Sequence, residues 1–331
     1  MQVGRRVLGG WTPDRPWTRL LWIAALVVAV ATAAAREVVA AGYRTANFVV
    51  DAPTEVLARR IGDAAEQYRH DLAIEWTGSP LPRWSRPCPI RAQVAPHLGA
   101  GGATSFVFDR GEVFNWTMTI QGSEQRILDS VLPHEITHTI FASHFRRPLP
   151  RWADEGACTT VEHPVERARQ HRLLIEFLTT GRGIAFPQMF AMREYPADVL
   201  PLYSQGYSLA RYLIERGGRH KYVAFVGDGL ATDDWSGCLA KHYGVPGVAQ
   251  LQHTWLEWVK LGCPAPPAAV ATALAQVDSP QRSPRGQSPD PAPSGPEAAA
   301  PAALVTTAGR RSIYASQARR TEVPASGSSP K

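Results

Sequence analysis

The chain has 331 residues, of which 44% are hydrophobic and 28 are proline, with a formal charge of +6. That length is enough for one large core or two small ones. Basic residues are scattered in short groups such as "HFRRPLPR" and "RARQHR". Without a long basic run they read as a solvated arginine-bearing face, and nucleic acid is not an expected partner.

At the N-terminus, Arg5, Arg6, Arg15 and Arg19 precede an uncharged stretch from Leu20 to Ala35. It falls short of the roughly 20 apolar residues that a spanning helix needs. Its end is rich in small residues, and Ala31 to Ala33 ("ATA") resembles a cleavage site. Residues 1–35 are therefore predicted to be a cleaved signal peptide, with an uncleaved membrane anchor or a buried core helix as alternatives. Either of the first two exports the rest, to a secreted, periplasmic or cell-envelope location. Export would permit two disulfides among Cys88, Cys158, Cys238 and Cys263, in any of three pairings. No C-x-x-C pair occurs, so a zinc site built from these cysteines is not expected.

Next, "NFVVDAP" predicts a short strand ended by Pro53. Val56, Leu57, Ile61, Ala64 and Tyr68 follow at helical spacing, with Thr54 placed as the N-cap. "CPIRAQVAP" and "TSFVFDRGEVFNWTMTIQG" read as strands, the second pair turning at "DRG". "VFNWTMTIQG" is expected to be a sheet edge to which an extended peptide could add. From about Ser123 the signals turn helical. Pro164 starts one helix that Gly181 stops, and "YSQGYSLARYLIERGG" forms another ended by Gly217 and Gly218. The tryptophans of "DDWSGCLAKHYG" and "LQHTWLEWVKLG" indicate further packed helices. Beyond Cys263, proline, alanine, serine and glycine dominate, and 264–331 is predicted to be a disordered tail. The folded domain is expected over 43–263, strands first and helices after, an α+β class.

Residues 131–145 read "VLPHEITHTIFASHF". On a helix, His134 and His138 stand one turn apart on one face, within reach of a single ion. Glu135, about 100° around the axis, is placed to take a proton from metal-bound water. Two helix starts are open: Ser130 as a cap with Pro133 in the first turn, or Glu124 with Pro133 making a kink. Two residues compete as third ligand. His144 has the spacing of the metzincin pattern, but Phe141 occupies the place where that pattern turns on glycine. On a continuing helix His144 points away. Glu155, in "LPRWADEGACTTVE", offers a carboxylate oxygen that would give a His2Glu set with one open position.

"HEITH" followed by "PRWADEGAC" resembles the gluzincin metallopeptidases, in particular the peptidase MA-like family, where H-E-x-x-H is followed by W-x-x-E-G. The resemblance implies a zincin-like fold, with a small N-terminal mixed sheet, an active-site helix and a mostly helical C-terminal part. It implies Zn2+ held by His134, His138 and Glu155, and Glu135 as catalytic base. "YSQGY" is similar to a Y-x-x-G segment of such proteins, which brings forward Tyr203, ahead of Tyr207, as donor to the oxyanion. The aminopeptidase segment G-x-M-E-N has no counterpart in "NWTMTIQGS", and the aspartate that thermolysin-like enzymes carry is replaced by Thr159. Asp154 or Asp129 is a candidate to orient a histidine instead. The implied partner is a peptide or protein substrate, and membrane contact would come only through the N-terminal segment. The alternative is a catalytically silent zincin-fold binding or scaffold protein of the cell envelope.

Overall fold

The structure is a computed structural model and describes residues 41–192 and 194–265. The expected targeting segment (1–35) and residues 266–331 of the expected tail lie outside the described residues.

Five strands form one mixed sheet: β1 (Ala41–Arg44), β2 (Phe48–Ala52), β3 (Cys88–Val94), β4 (Gly101–Asp109) and β5 (Glu112–Gly122). Their order is β1-β2-β3-β5-β4, with β2, β3 and β5 parallel and the two outer strands antiparallel. Between β2 and β3 runs α1 (Glu55–Thr77), and the Thr54 side chain accepts from the Leu57 N–H as the predicted cap. Burial alternates along the strands. Phe48 and Val50 of β2, Cys88 and Ile90 of β3, and Trp116, Met118 and Ile120 of β5 point inward. Such alternation marks a sheet covered on one face.

The "DRG" turn joins β4 to β5 with positive φ at Arg110 and Gly111, the backbone a tight hairpin uses. This hairpin corrects the expected sheet edge. β5 is bonded on both sides, to β3 and to β4, and the outer strand here is β4. Its hairpin partner occupies the position that the alternation of β5 alone could not assign.

After β5 come α2 (Glu124–Arg126), a π-helical turn (Ile127–Val131) and α3 (Leu132–Phe145). α3 packs on α1 and against β4 and β5, with Trp76 and Phe141 edge to face at 5.0 Å. The remaining helices are α4 (Arg151–Thr160), α5 (Pro164–Thr179), α6 (Phe186–Ala191), α7 (Leu200–Thr232), α8 (Trp235–Tyr243) and α9 (Val248–Lys260). Gly181, at φ 71°, follows the end of α5 as expected. The expected end at Gly217–Gly218 is a break rather than a stop. Gly218 leaves helical geometry at φ 79° and ψ 169°, and the helix then resumes to Thr232. Tyr222, Val223, Phe225 and Val226 supply the second segment with its own buried face. Among the described residues no helix is long and apolar enough to cross a membrane. All four cysteines are buried free thiols, so neither expected disulfide forms here.

Candidate metal centre

The helical run that carries the histidines begins at Ser123, whose side chain accepts from the Arg126 N–H. The earlier of the two open helix starts is therefore the observed one. Proline inside an α-helix lacks a donor and crowds the carbonyl four residues back. The π turn just before Pro133 widens the backbone where that crowding would fall, with the Leu132 N–H bonded to the Ile127 carbonyl. Ser130 does not cap; its hydroxyl accepts from the His163 N–H.

α3 places His134 and His138 with ring centroids 5.0 Å apart. α4 brings Glu155 against both: its Oε2 lies 3.5 Å from His134 Nε2 and 3.6 Å from His138 Nε2. Each imidazole is gripped from behind, His134 Nδ1 by Glu162 at 2.7 Å and His138 Nδ1 by Asp154 at 2.9 Å. An ionised carboxylate only accepts, so each Nδ1 carries the proton and each Nε2 is turned toward Glu155. Cys158 joins from the other side, with Sγ 3.4 Å from His138 Nδ1. His134, His138 and Cys158 form a buried group that could hold a metal ion, with ligand atoms within 4.8 Å of one another. The spacing of the cysteines alone gave no sign of this group.

Four carboxylates, Glu135, Asp154, Glu155 and Glu162, share this volume, none more than 3% exposed. Buried charge of one sign requires compensation. Burial opposes protonation of His134, but its hydrogen bonds to Glu155 and Glu162 outweigh that and raise its pKa to about 9. The pKa of His138 is likewise raised despite burial, by Cys158 and Glu155. Burial would raise the Glu155 pKa, yet the two imidazoles hold it well below the usual carboxylate range.

Glu135 is wholly buried between α3 and β4. Its Oε2 accepts from Thr104 Oγ1 at 2.7 Å, while Oε1 has no hydrogen-bond partner. Gly102 leaves room for it, since a Cβ at that position would stand 2.4 Å from Oε1. Tyr203 is 1% exposed; burial, then the charge of Glu155, raises the pKa of its phenol, and it hydrogen-bonds Tyr195. Tyr207 instead lies toward Arg211 and Arg167. His144 is exposed near the end of α3, which runs on through Phe141 without a turn. Of the two aspartates considered as orienting groups, Asp154 takes that place and Asp129 lies toward Tyr68.

Three contributors escape sequence reasoning. Tyr195, in the segment between α6 and α7, donates its hydroxyl to Glu155 Oε1 at 2.5 Å. Glu162 follows the end of α4, and Thr104 comes from a strand 31 residues before Glu135. Only Glu162 left a trace: it closes the stretch "LPRWADEGACTTVE" that carries Glu155, seven positions after it.

Neither protein-family models nor curated proteins give a match to this chain.

Proposed function

We propose that the chain is an exported zinc metallopeptidase with a zincin-like fold of the gluzincin kind, acting as an endopeptidase. The observation that carries this reading is the approach of one Glu155 oxygen to both His134 Nε2 and His138 Nε2. Tetrahedral ligands about 2.0–2.1 Å from zinc stand about 3.3–3.4 Å apart, close to the two spacings seen. Cys158 fits less well as third ligand, because it meets His138 at Nδ1, the nitrogen that Asp154 engages. Glu162 and Asp154 supply the carboxylates that orient zinc-bound imidazoles. Export is supported by the arginine-flanked N-terminal stretch.

Zinc held by His134, His138 and Glu155 would supply Lewis acidity toward water and the scissile carbonyl. Glu135 presents the unpartnered Oε1 as proton acceptor, while Thr104 fixes its other oxygen. The same carboxyl then returns the proton to the leaving amine. Tyr203 is assigned as hydrogen-bond donor to the developing oxyanion. An extended substrate pairing with the outer edge of β4 would pass Gly102, directly beside Glu135.

The test joins metal content with Glu135→Gln. Purified protein should hold about one zinc per chain, and a chelator should abolish peptide cleavage. Glu135→Gln should keep the zinc and lose cleavage by about 10²–10⁴-fold. Full activity in that variant would sink the mechanism. A zinc-loaded wild type that cleaves nothing in a peptide library would instead be the scaffold protein.

A further inference from the structure

Among the described residues, one buried cation beside this site has no ion-pair partner. Arg151 opens α4, four positions before Glu155, and is 7% exposed. Its guanidinium lies 4.4 Å over the ring of Tyr195, the residue that donates to Glu155. Nε and Nη1 are buried without a hydrogen-bond partner, and no described carboxylate forms an ion pair with the group. Arginine stays charged at any physiological pH, and buried charges are ordinarily paired.

Arg151 also lines a cavity of about 1400 Å³, with Arg147, Pro150, Phe190, Glu194 and Trp235 among its walls. That volume exceeds what a drug-sized ligand needs and accommodates several peptide residues. The N-terminal end of α4, at Pro150 and Arg151, opens on the same space and adds the positive end of a helix. Asp233, Asp234 and Glu194 on other walls oppose a highly charged anion such as phosphate. A single carboxylate suits the planar fork of the guanidinium.

We propose that Arg151 anchors a carboxylate of the substrate near the bond presented at Glu155: an acidic side chain, as an endopeptidase would read, or a free C-terminus, which would narrow the activity to that of a carboxypeptidase. Selection of a substrate in this sense rests on the peptidase reading; the binding itself does not. The contact path Arg151–Tyr195–Glu155 ties the anchor to the candidate metal ligand, which makes Arg151 a specificity-determining residue.

The experiment measures binding without turnover, by calorimetry on zinc-loaded Glu135→Gln protein. The probes are acetyl-trialanine with a free carboxylate, its C-terminal amide, and the acetyl-Ala-Glu-Ala amide. At least one carboxylate-bearing peptide should bind about tenfold or more tightly than the neutral amide, as a charge-assisted pair gives. Which one does so identifies the source of the carboxylate. Arg151→Gln should erase the preference, with zinc content unchanged, and Arg151→Lys should keep part of it. If Arg151→Gln does not fold, Arg151→Met fills the same space without the charge. Equal binding of all three peptides, no binding at all, or a preference that survives loss of the guanidinium overturns the proposal. Intact carboxylate preference in a wild type that hydrolyses nothing would remove the peptidase reading and leave this one. Hydrolysis without the preference would do the reverse.

Discussion

Gly156 and Gly206 bring the backbones of α4 and α7 into direct contact: a Cβ at Gly156 would lie 2.3 Å from the Gly206 carbonyl oxygen. A Cβ at Gly206 would in turn lie 2.8 Å from the Trp152 carbonyl oxygen. The glycines of "WADEG" and "YSQG" thus answer each other across one helix crossing. Because Glu155 precedes Gly156, that crossing fixes how far the carboxylate reaches toward the histidines. Gly156→Ala should cost about 1–3 kcal/mol or more, since the obstacle is backbone that cannot swing aside. Urea unfolding would register the loss of stability, and zinc titration a weakened site.

The choice between Glu155 and Cys158 as third ligand has a direct readout. Glu155→Ala should leave the chain without stoichiometric zinc. Cys158→Ser should retain it, because Sγ faces the Nδ1 side of His138. Zinc analysis of both variants decides between the two ligand sets, and retention by Glu155→Ala with loss by Cys158→Ser would reverse the assignment.

Glu162 and Asp154 should tune affinity without being ligands. Glu162→Gln and Asp154→Asn keep shape and remove the charge that holds each Nδ1–H, so zinc affinity should fall about 10–100-fold in each. Competition with a chromophoric chelator measures this. Unchanged affinity would show that the carboxylates merely fill space.

The two phenols should separate kinetically. Tyr203→Phe should lower kcat by about 10²–10³-fold with zinc retained, as loss of an oxyanion donor does. Tyr195→Phe removes the donor to Glu155 and should act first on zinc affinity. The opposite pattern would assign Tyr195 to the oxyanion.

Acid sensitivity should arise partly far from this site. Glu66 accepts hydrogen bonds from the Asn47 backbone and side chain at 2.6 and 2.8 Å, and from Thr45 at 2.7 Å. Burial alone would raise its pKa, but these bonds prevail and lower it below the usual 4.5. A depressed carboxylate stabilises the fold above its unfolded pKa, and that contribution fades as pH falls through the folded value. Glu66→Gln should therefore lower stability at neutral pH, with the gap to wild type closing below about pH 4.5. Thermal unfolding across pH 3–7 measures it; a gap independent of pH would refute the linkage.

The histidine pair and Glu135 were legible because their relation is local, one turn of a single helix. The α+β class was equally legible, from alternation giving way to helical spacing. Glu155 needed a second motif and a family likeness, since nothing local says that α4 returns to α3. Tyr195 and Thr104 were not legible at all. Tyr195 reaches Glu155 from 40 positions away, and its meaning comes from tertiary contact rather than from its neighbours. Strand order escaped for a related reason: alternation reports which face is buried, not which strand lies alongside.

The π turn at Ile127–Val131 has a geometric consequence for everything after it. Such a turn holds one residue more than an α-helical one, which offsets the downstream face by about 100°. The facing of His134, Glu135 and His138 therefore depends on a spare residue in the turn that precedes them. Deleting one position there would restore regular winding, swing the trio away from Glu155 and Gly102, and leave every proposed ligand in the chain but none in place. Phase, as much as residue identity, sets this site.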